Sequence, residues 1–156
     1  MVMMSLSGTQ EITLKIRESI YYGQLKIMYQ TFSKNRHVSI FYNNKWYPVH
    51  LLMNEVQPRN LLEIEVEIIP NSQKTKVICD ELLAFISLSS EIIAKNLKPG
   101  DMIKINTMPV KNIYSHSDEY VKVLSINKQQ ETTSWLFGIE CDEIPELSLT
   151  NGIIVK

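Results

Sequence analysis

An alternation of apolar and acidic residues in the middle of the chain is the pattern that most constrains its fold. Residues 61–69 read Leu-Leu-Glu-Ile-Glu-Val-Glu-Ile-Ile, so Glu63, Glu65 and Glu67 share one face and most of the apolar residues share the other. This period of two is typical of a half-buried β-strand, because successive side chains of a strand point to opposite faces of the sheet. We interpret the three glutamates as a solvated face, and the pattern predicts a sheet with one buried side.

The rest of the chain repeats short strand-like stretches separated by turn residues. The stretches 38–42 and 46–52 flank Asn43-Asn44-Lys45, which predicts a hairpin. Further strands are expected at residues 12–14, 75–79, 101–106, 121–126, 133–140 and 153–155, with short helical turns near residues 21–29, 80–85 and 91–96. About ten strands with few helices predict an all-β protein. A sheet closed on itself would remove its exposed edges.

The composition excludes several functional classes. A chain of 156 residues, 44% of them hydrophobic, is expected to form one domain with a substantial core. The net charge of -1 argues against a nucleic-acid-binding protein, because such proteins carry basic patches. No apolar run reaches the roughly 18 residues that a membrane span needs, and the first residues do not resemble a signal peptide. We therefore expect a cytoplasmic monomer with no nucleic-acid or membrane partner.

The cysteines and histidines are too scattered to indicate a metal site. Cys79 and Cys141 form no Cys-x-x-Cys motif, and His37, His50 and His116 are far apart in the sequence. In a chain without a secretion signal, the two cysteines are expected to be reduced, buried thiols rather than a disulfide. We expect no metal and no cofactor.

Three segments, in order along the chain, carry a family resemblance. Residues 5–14 read Ser-Leu-Ser-Gly-Thr-Gln-Glu-Ile-Thr-Leu, residues 97–101 read Leu-Lys-Pro-Gly-Asp, and residues 150–156 read Thr-Asn-Gly-Ile-Ile-Val-Lys. The first resembles the opening of an intein, the second a turn of the Hint (hedgehog/intein) fold, and the third the strand that ends an intein. The chain thus resembles a minimal intein that begins with serine. The resemblance implies an all-β Hint fold, a compact pseudo-two-fold β horseshoe with short helices.

The resemblance also implies a domain organisation and partners. Residues 1–4 are expected to be left from the upstream flanking protein (extein) or added by cloning, and residues 5–156 to form the splicing domain. The polar loop at residues 107–120 lies where larger inteins carry a homing endonuclease, and it is the natural place for a split into two complementary halves that splice in trans. Inteins commonly interrupt replication proteins, including those of phages.

In the intein scheme, Ser5 is the first nucleophile. Its hydroxyl would attack the Met4 carbonyl and convert the Met4–Ser5 amide to an ester, which requires a base and donors to the oxyanion. Transesterification to a Ser, Thr or Cys of the downstream flank, cyclisation of an asparagine after Lys156 and an O-to-N shift would follow. Each molecule would react only once, with its own chain as the substrate. Otherwise Ser5 is an ordinary residue of a frayed end.

The chain departs from the intein pattern where a Thr-x-x-His motif usually assists the first cleavage. Ile78 falls at the threonine and Glu81 at the histidine. We expect Glu81, or the adjacent Asp80, to act as a base or hydrogen-bond acceptor, although a carboxylate does not donate as an imidazole does. The alternative is that Glu81 is only a solvated acid in a turn.

Two further positions depart from the pattern near the end of the chain. Gly138 falls at an aspartate that couples the two cleavages in many inteins, and Asp142 is the nearest substitute. Lys156 falls at the penultimate histidine and would donate a hydrogen bond to the carbonyl of the cleaving asparagine. The alternative is that Asp142 and Lys156 are only solvated charges.

Two other functions stay open from the sequence. One is a Hint domain that cleaves without ligating, and the other is an all-β binding module without catalytic activity. The position of the two ends distinguishes splicing from binding. Splicing requires Ser5 and Lys156 to meet in the centre of the fold, whereas a binding module would leave its termini loose.

Overall fold

The computed structural model describes residues 2–68, 73–106 and 120–156. These residues form thirteen β-strands, one α-helix and one turn of 3-10 helix at Ala94–Asn96. The elements are β1 Val2–Leu6, β2 Glu11–Ile16, β3 Ser19–Gln24, α1 Leu25–Phe32, β4 Val38–Tyr42, β5 Lys45–Pro48, β6 His50–Ile68, β7 Gln73–Cys79, β8 Ala84–Ile86, β9 Glu91–Ile93, β10 Met102–Lys104, β11 Tyr120–Glu140, β12 Leu147–Ser148 and β13 Ile154–Val155. The predicted all-β class is confirmed.

The described strands form three antiparallel sheets. The largest has the order β1-β7-β6-β11-β10, and the others have the orders β12-β13-β8-β9 and β3-β2-β4-β5. Strand β1 pairs with β7 and also with β11, so β1, β7, β6 and β11 close a circuit of pairings. This closure covers edges that would otherwise offer unpaired backbone groups to other chains.

The two longest strands, β6 and β11, pair along most of their length, from Lys122 opposite Glu67 to Glu140 opposite His50. The sequence predicted two short strands in the place of each, and this was wrong. The register shifts three times along the pair, and Pro58 lies within the last shift, so the apparent breaks are bends inside continuous strands. At one bend the Asn60 side-chain amide donates to the carbonyl oxygens of Gln129 and Gln130, at 2.7 and 3.2 Å.

The alternation at residues 61–68 has the predicted orientation. Ile64, Val66 and Ile68 are fully buried, whereas the three glutamates between and beside them are half-buried. One of these glutamates, Glu63, forms an ion pair of 2.7 Å with Lys76 on β7. The acidic face is therefore partly covered by side chains of the neighbouring strand β7, rather than wholly solvated.

The predicted hairpin at residues 43–44 is confirmed. Tyr42 pairs with Lys45, so the loop between β4 and β5 has two residues. Asn43 and Asn44 have φ values of 46° and 66°, and a two-residue hairpin turn with positive φ at both positions matches the right-handed twist of its strands.

Three helical predictions need correction. Residues 80–83 form a turn closed by the Leu83 N–H donating to the Asp80 carbonyl at 3.1 Å, and β8 begins at Ala84. Residues 91–96 divide into β9 and the 3-10 turn. The helix expected near residues 21–29 lies further along, as α1, because residues 19–24 pair with β2 instead. The predicted loop at residues 107–120 lies outside the described residues apart from Tyr120, which begins β11.

Both cysteines are buried, as predicted, and no disulfide joins Cys79 to Cys141. In the described part of the chain no helix has the length and apolar character that crossing a membrane requires.

Replacing Ile64 by alanine is expected to lower the free energy of unfolding by about 2–5 kcal/mol, because the substitution leaves a cavity in a close-packed interior. Ile64 is fully buried and pairs with Val77 on one side and Ile126 on the other. Urea unfolding monitored by circular dichroism measures the change. The matched control is Glu65→Ala on the opposite face, expected to be within about 0.5 kcal/mol of wild type. Equal effects of the two substitutions would contradict this orientation of β6.

Candidate functional site

Ser5 lies half-buried in β1, where this strand passes from one partner strand to another. On its N-terminal side, Val2 and Met3 pair with Glu140 and Ile139 of β11. On its C-terminal side, the Ser5 carbonyl accepts a hydrogen bond from the Asp80 N–H at 2.8 Å, and the Ser7 N–H donates to the Ile78 carbonyl at 3.0 Å. The chain is thus held by main-chain hydrogen bonds directly after Ser5. Among the described residues, the Ser5 hydroxyl has no hydrogen-bond partner.

The Met4–Ser5 peptide bond lies in a β-bulge. Met3 pairs with Ile139 and Leu6 with Phe137, so three steps along β1 match two steps along β11. One residue of β1 is therefore extra, and Met4 and Ser5 together oppose Gly138. Bulges leave a residue out of the ladder and change the direction of a side chain, and they are common beside active sites.

Gly138 has no room for a side chain. A Cβ atom there would lie 1.7 Å from the Met3 carbonyl oxygen and 2.7 Å from the Met4 Cα, far inside van der Waals contact. The backbone before Ser5 therefore lies directly on Gly138. This close approach depends on glycine and explains why the position carries no aspartate.

Asp80 is the buried carboxylate next to Ser5. Its side chain is 4% exposed, and it accepts a hydrogen bond of 3.2 Å from the Arg59 guanidinium, which is 39% exposed. Arg59 reaches it from β6. A charge-assisted hydrogen bond from a guanidinium fixes the direction of the carboxylate that accepts it. The turn after β7 thus presents the Asp80 N–H to the Ser5 backbone, and the carboxylate of the same residue is buried and directed toward Arg59.

Lys156 ends a strand that is built into the core. Ile154 and Val155 are fully buried, and Val155 pairs with Leu147 on one side and Phe85 on the other. The Lys156 N–H donates to the Ala84 carbonyl at 2.9 Å. Its side chain, which is exposed, donates to Glu91 of β9. This hydrogen bond, together with the charge of the carboxylate, raises the pKa of Lys156.

Ser5 and Lys156 both attach to residues 80–84, which comprise the turn after β7 and the first residue of β8. Ser5 is bonded to Asp80 and Lys156 to Ala84, at the two ends of a five-residue segment. Five residues span at most about 14 Å between their first and last Cα atoms, and the turn at residues 80–83 shortens this distance. The two ends that the sequence expected to meet therefore lie on one short segment, and neither is loose.

The other two predicted site residues, Glu81 and Asp142, have exposed side chains. The Glu81 carbonyl accepts a hydrogen bond from the Lys95 N–H at 2.9 Å, and Asp142 follows β11 in a bend. Among the described residues no hydrogen bond or ion pair joins either side chain to Ser5. Nor do three or more His, Cys, Asp or Glu side chains of those residues form a group able to hold a metal ion.

A small cavity of about 250 Å³ lies between residues 9–11, β7 and the turn at residues 150–152. Asn151, which is 8% exposed, spans it and donates to the Thr75 hydroxyl at 3.1 Å and to the Lys76 carbonyl at 3.3 Å. From the opposite side, the Gln10 side-chain oxygen accepts a hydrogen bond from the Ile78 N–H at 3.0 Å. The turns at both ends of the domain are therefore fixed to the same strand, β7.

Three features of the site were not predicted from the sequence: the Arg59–Asp80 pair, the contacts of Asn151 with β7, and the backbone lying on Gly138. By sequence, Asn151-Gly152 indicates only a turn, and in the structure its asparagine also bonds that turn to β7. Each feature joins residues distant in the sequence. Only Gly138 gave a signal, as an isolated glycine in a strand, which often marks a bulge or a close backbone approach.

Comparison with known proteins identifies the fold. A scan against protein-family models finds no match, and a search among curated proteins finds none. Among solved structures, the transcription factor IIB Mvu mini-intein superposes with a TM-score of 0.74 at 16% identity, covering 98% of this chain and 99% of that chain. The DnaB intein from Synechocystis sp. PCC 6803 superposes with a TM-score of 0.68 at 14% identity, covering 98% of this chain and 97% of that chain. The gp41-1 intein superposes with a TM-score of 0.64 at 14% identity, covering 97% of each chain. This chain has the Hint fold.

The Cys79 thiol, which precedes the turn beside Ser5, is expected to be unreactive in the folded protein. Burial raises its pKa, and the neighbouring Asp80 charge raises it further. A raised pKa leaves the neutral thiol dominant at pH 8, whereas the thiolate is the reactive form. Iodoacetamide at pH 8 followed by peptide mapping should find Cys79 unmodified. In guanidinium chloride Cys79 should be alkylated fully. Alkylation of the folded protein at the unfolded rate would contradict this packing.

Proposed function

We propose that this chain is a protein-splicing domain whose first nucleophile is Ser5. The observation that carries the proposal is the attachment of Ser5 and Lys156 to the two ends of the residue 80–84 segment, within a fold shared with mini-inteins along nearly the whole chain. An intein joins two flanking segments, so its two junctions have to be neighbours. A binding module has no such requirement.

The first step is an N-to-O acyl shift at Ser5. The hydroxyl oxygen bonds to the Met4 carbonyl carbon, the Met4–Ser5 C–N bond breaks, and the Ser5 nitrogen takes up the proton as an amine. The bulge supports this step because it removes one residue of this stretch from the ladder. The hydrogen bond from the Asp80 N–H to the Ser5 carbonyl then holds Ser5 in place as the bond before it is exchanged.

The later steps follow the intein scheme. A hydroxyl or thiol of the first downstream residue attacks the ester and takes the upstream segment from Ser5. An asparagine after Lys156 then cyclises through its side-chain amide and breaks the bond that follows it. A final O- or S-to-N shift joins the flanks by a peptide bond. No metal or cofactor takes part in these steps.

Asp80 is the residue we assign to accept the Ser5 proton, because its carboxylate is buried and its backbone N–H is bonded to Ser5. Arg59 is a positioning residue that fixes the carboxylate. Lys156 is assigned to donate to the carbonyl of the cleaving asparagine, and Glu91 sets the direction of its side chain. Glu81 and Asp142 stay as candidate bases that the experiment below separates from Asp80.

Splicing is tested by fusing one reporter ahead of Met1 and another, led by Asn-Ser or Asn-Cys, after Lys156. Mass spectrometry should find the joined reporters and the excised domain. Ser5→Ala removes the nucleophile and should abolish the joined product. Separate reporters without a joined product would favour a Hint domain that only cleaves, and an intact fusion at all pH values tested would favour a binding module.

Substituting the three carboxylates in the same fusion identifies the base. Asp80→Asn should slow the release of the upstream reporter by hydroxylamine about 100-fold or more, the usual effect of losing a general base. The amide keeps an oxygen for Arg59, so the fold should persist. Glu81→Gln and Asp142→Asn are the matched controls on exposed carboxylates and should stay within about twofold of wild type. If Asp80→Asn released the reporter as fast as these controls do, Asp80 would not be the base.

A further inference from the structure

We propose that β11 contains a strand-addition site for the upstream flank, with Gly138 as its floor and an apolar subsite for the second residue before Ser5. In this chain Met3 fills the subsite. The inference rests on the proposed function, because it specifies which upstream segments the domain accepts. It assigns to Gly138 the role of a positioning residue for the first cleavage.

Backbone pairing supplies the first argument. The C-terminal end of β11 is paired on one side with β6, where Ile139 opposes Leu51. Its other side is paired with residues of β1 that precede Ser5, where Ile139 opposes Met3 and Glu140 opposes Val2. Without the upstream residues this side of β11 would be an open edge. An open edge binds an extended peptide of any sequence by main-chain hydrogen bonds, and side-chain pockets then supply the selectivity.

Side-chain burial shows which upstream residue the side-chain pocket would select. Met3 is 3% exposed and belongs to the hydrophobic core, whereas the preceding Val2 is 60% exposed. Residues of a strand alternate between its faces, so only every second upstream residue enters the protein. Met4 is half-buried at the bulge. The domain therefore reads the second residue upstream of Ser5 and leaves the third to solvent.

Gly138 determines whether the strand can bind at all. The Met3 carbonyl and the Met4 Cα lie where a Cβ of residue 138 would be, and the atoms concerned are backbone rather than the flexible end of a side chain. Any larger residue would have to displace the flank, together with the peptide bond that Ser5 attacks. Glycine at position 138 therefore lets the flank, and with it the Met4–Ser5 bond, lie directly on β11.

The experiment compares upstream substitutions in the splicing fusion. Met3→Asp should slow hydroxylamine release of the upstream reporter about tenfold or more, because it buries an unpaired charge. Met3→Leu should be within about twofold of wild type. The matched control, Val2→Asp, adds the same charge to an exposed position and should also be within about twofold. Equal rates for Met3→Asp and Val2→Asp would overturn the subsite.

Hydrogen exchange measures docking independently of the chemistry. In the fusion that carries Ser5→Ala, which keeps residues 1–4 attached, Gly138→Ala and Met3→Asp should each speed amide exchange in residues 2–4 about tenfold or more, while exchange in β6 stays as in the Ser5→Ala parent. If the wild-type fusion does not splice but exchange responds in this way, the proposed function fails and the strand-addition site stands. Unchanged protection of residues 2–4 in both variants would overturn the inference.

Discussion

The antiparallel pairing of β6 with β11 is the interaction on which the rest of the structure depends. One half of this long pair supports β7 on the outer side of β6 and buries the apolar face of residues 61–68. The other half presents the end of β11, on which β1 lies. Since β1 also pairs with β7, the same two strands position the backbone on both sides of Ser5. A change in their register would move the Met4–Ser5 bond away from Gly138.

The sequence predicted those parts of the fold whose causes are local. The alternation at residues 61–69 and the Asn-Asn hairpin depend on neighbouring residues, and both have the expected form. The lengths of β6 and β11 were missed because Pro58 and the polar residues around it look like a loop. In the structure their backbone stays paired through shifts of register, and side chains such as Asn60 satisfy the extra carbonyl groups. Sequence propensity therefore predicts the end of a strand where the structure has only a bend in it.

The candidate site was less predictable because it is assembled from distant segments. Sequence motifs selected Ser5 and Lys156, and the structure attaches both to residues 80–84. They gave no reason to prefer Asp80 over Glu81, since adjacent acids in a turn look alike. The difference comes from Arg59, which lies 21 residues away and bonds to the Asp80 carboxylate rather than to Glu81. Partners of this kind become visible once the register between strands is known.

The glycine at position 138 shows how a departure from a family pattern can have a steric cause. An aspartate there would need a Cβ in space that the Met3 and Met4 backbone occupies. With β1 in this register, a coupling carboxylate and a docked upstream strand exclude each other at this point. This chain has the docked strand and no carboxylate at position 138. The Met4–Ser5 bond is therefore positioned mainly by main-chain contacts, from β11 before Ser5 and from Asp80 after it, and the buried carboxylate of this region belongs to Asp80, on the β7 side.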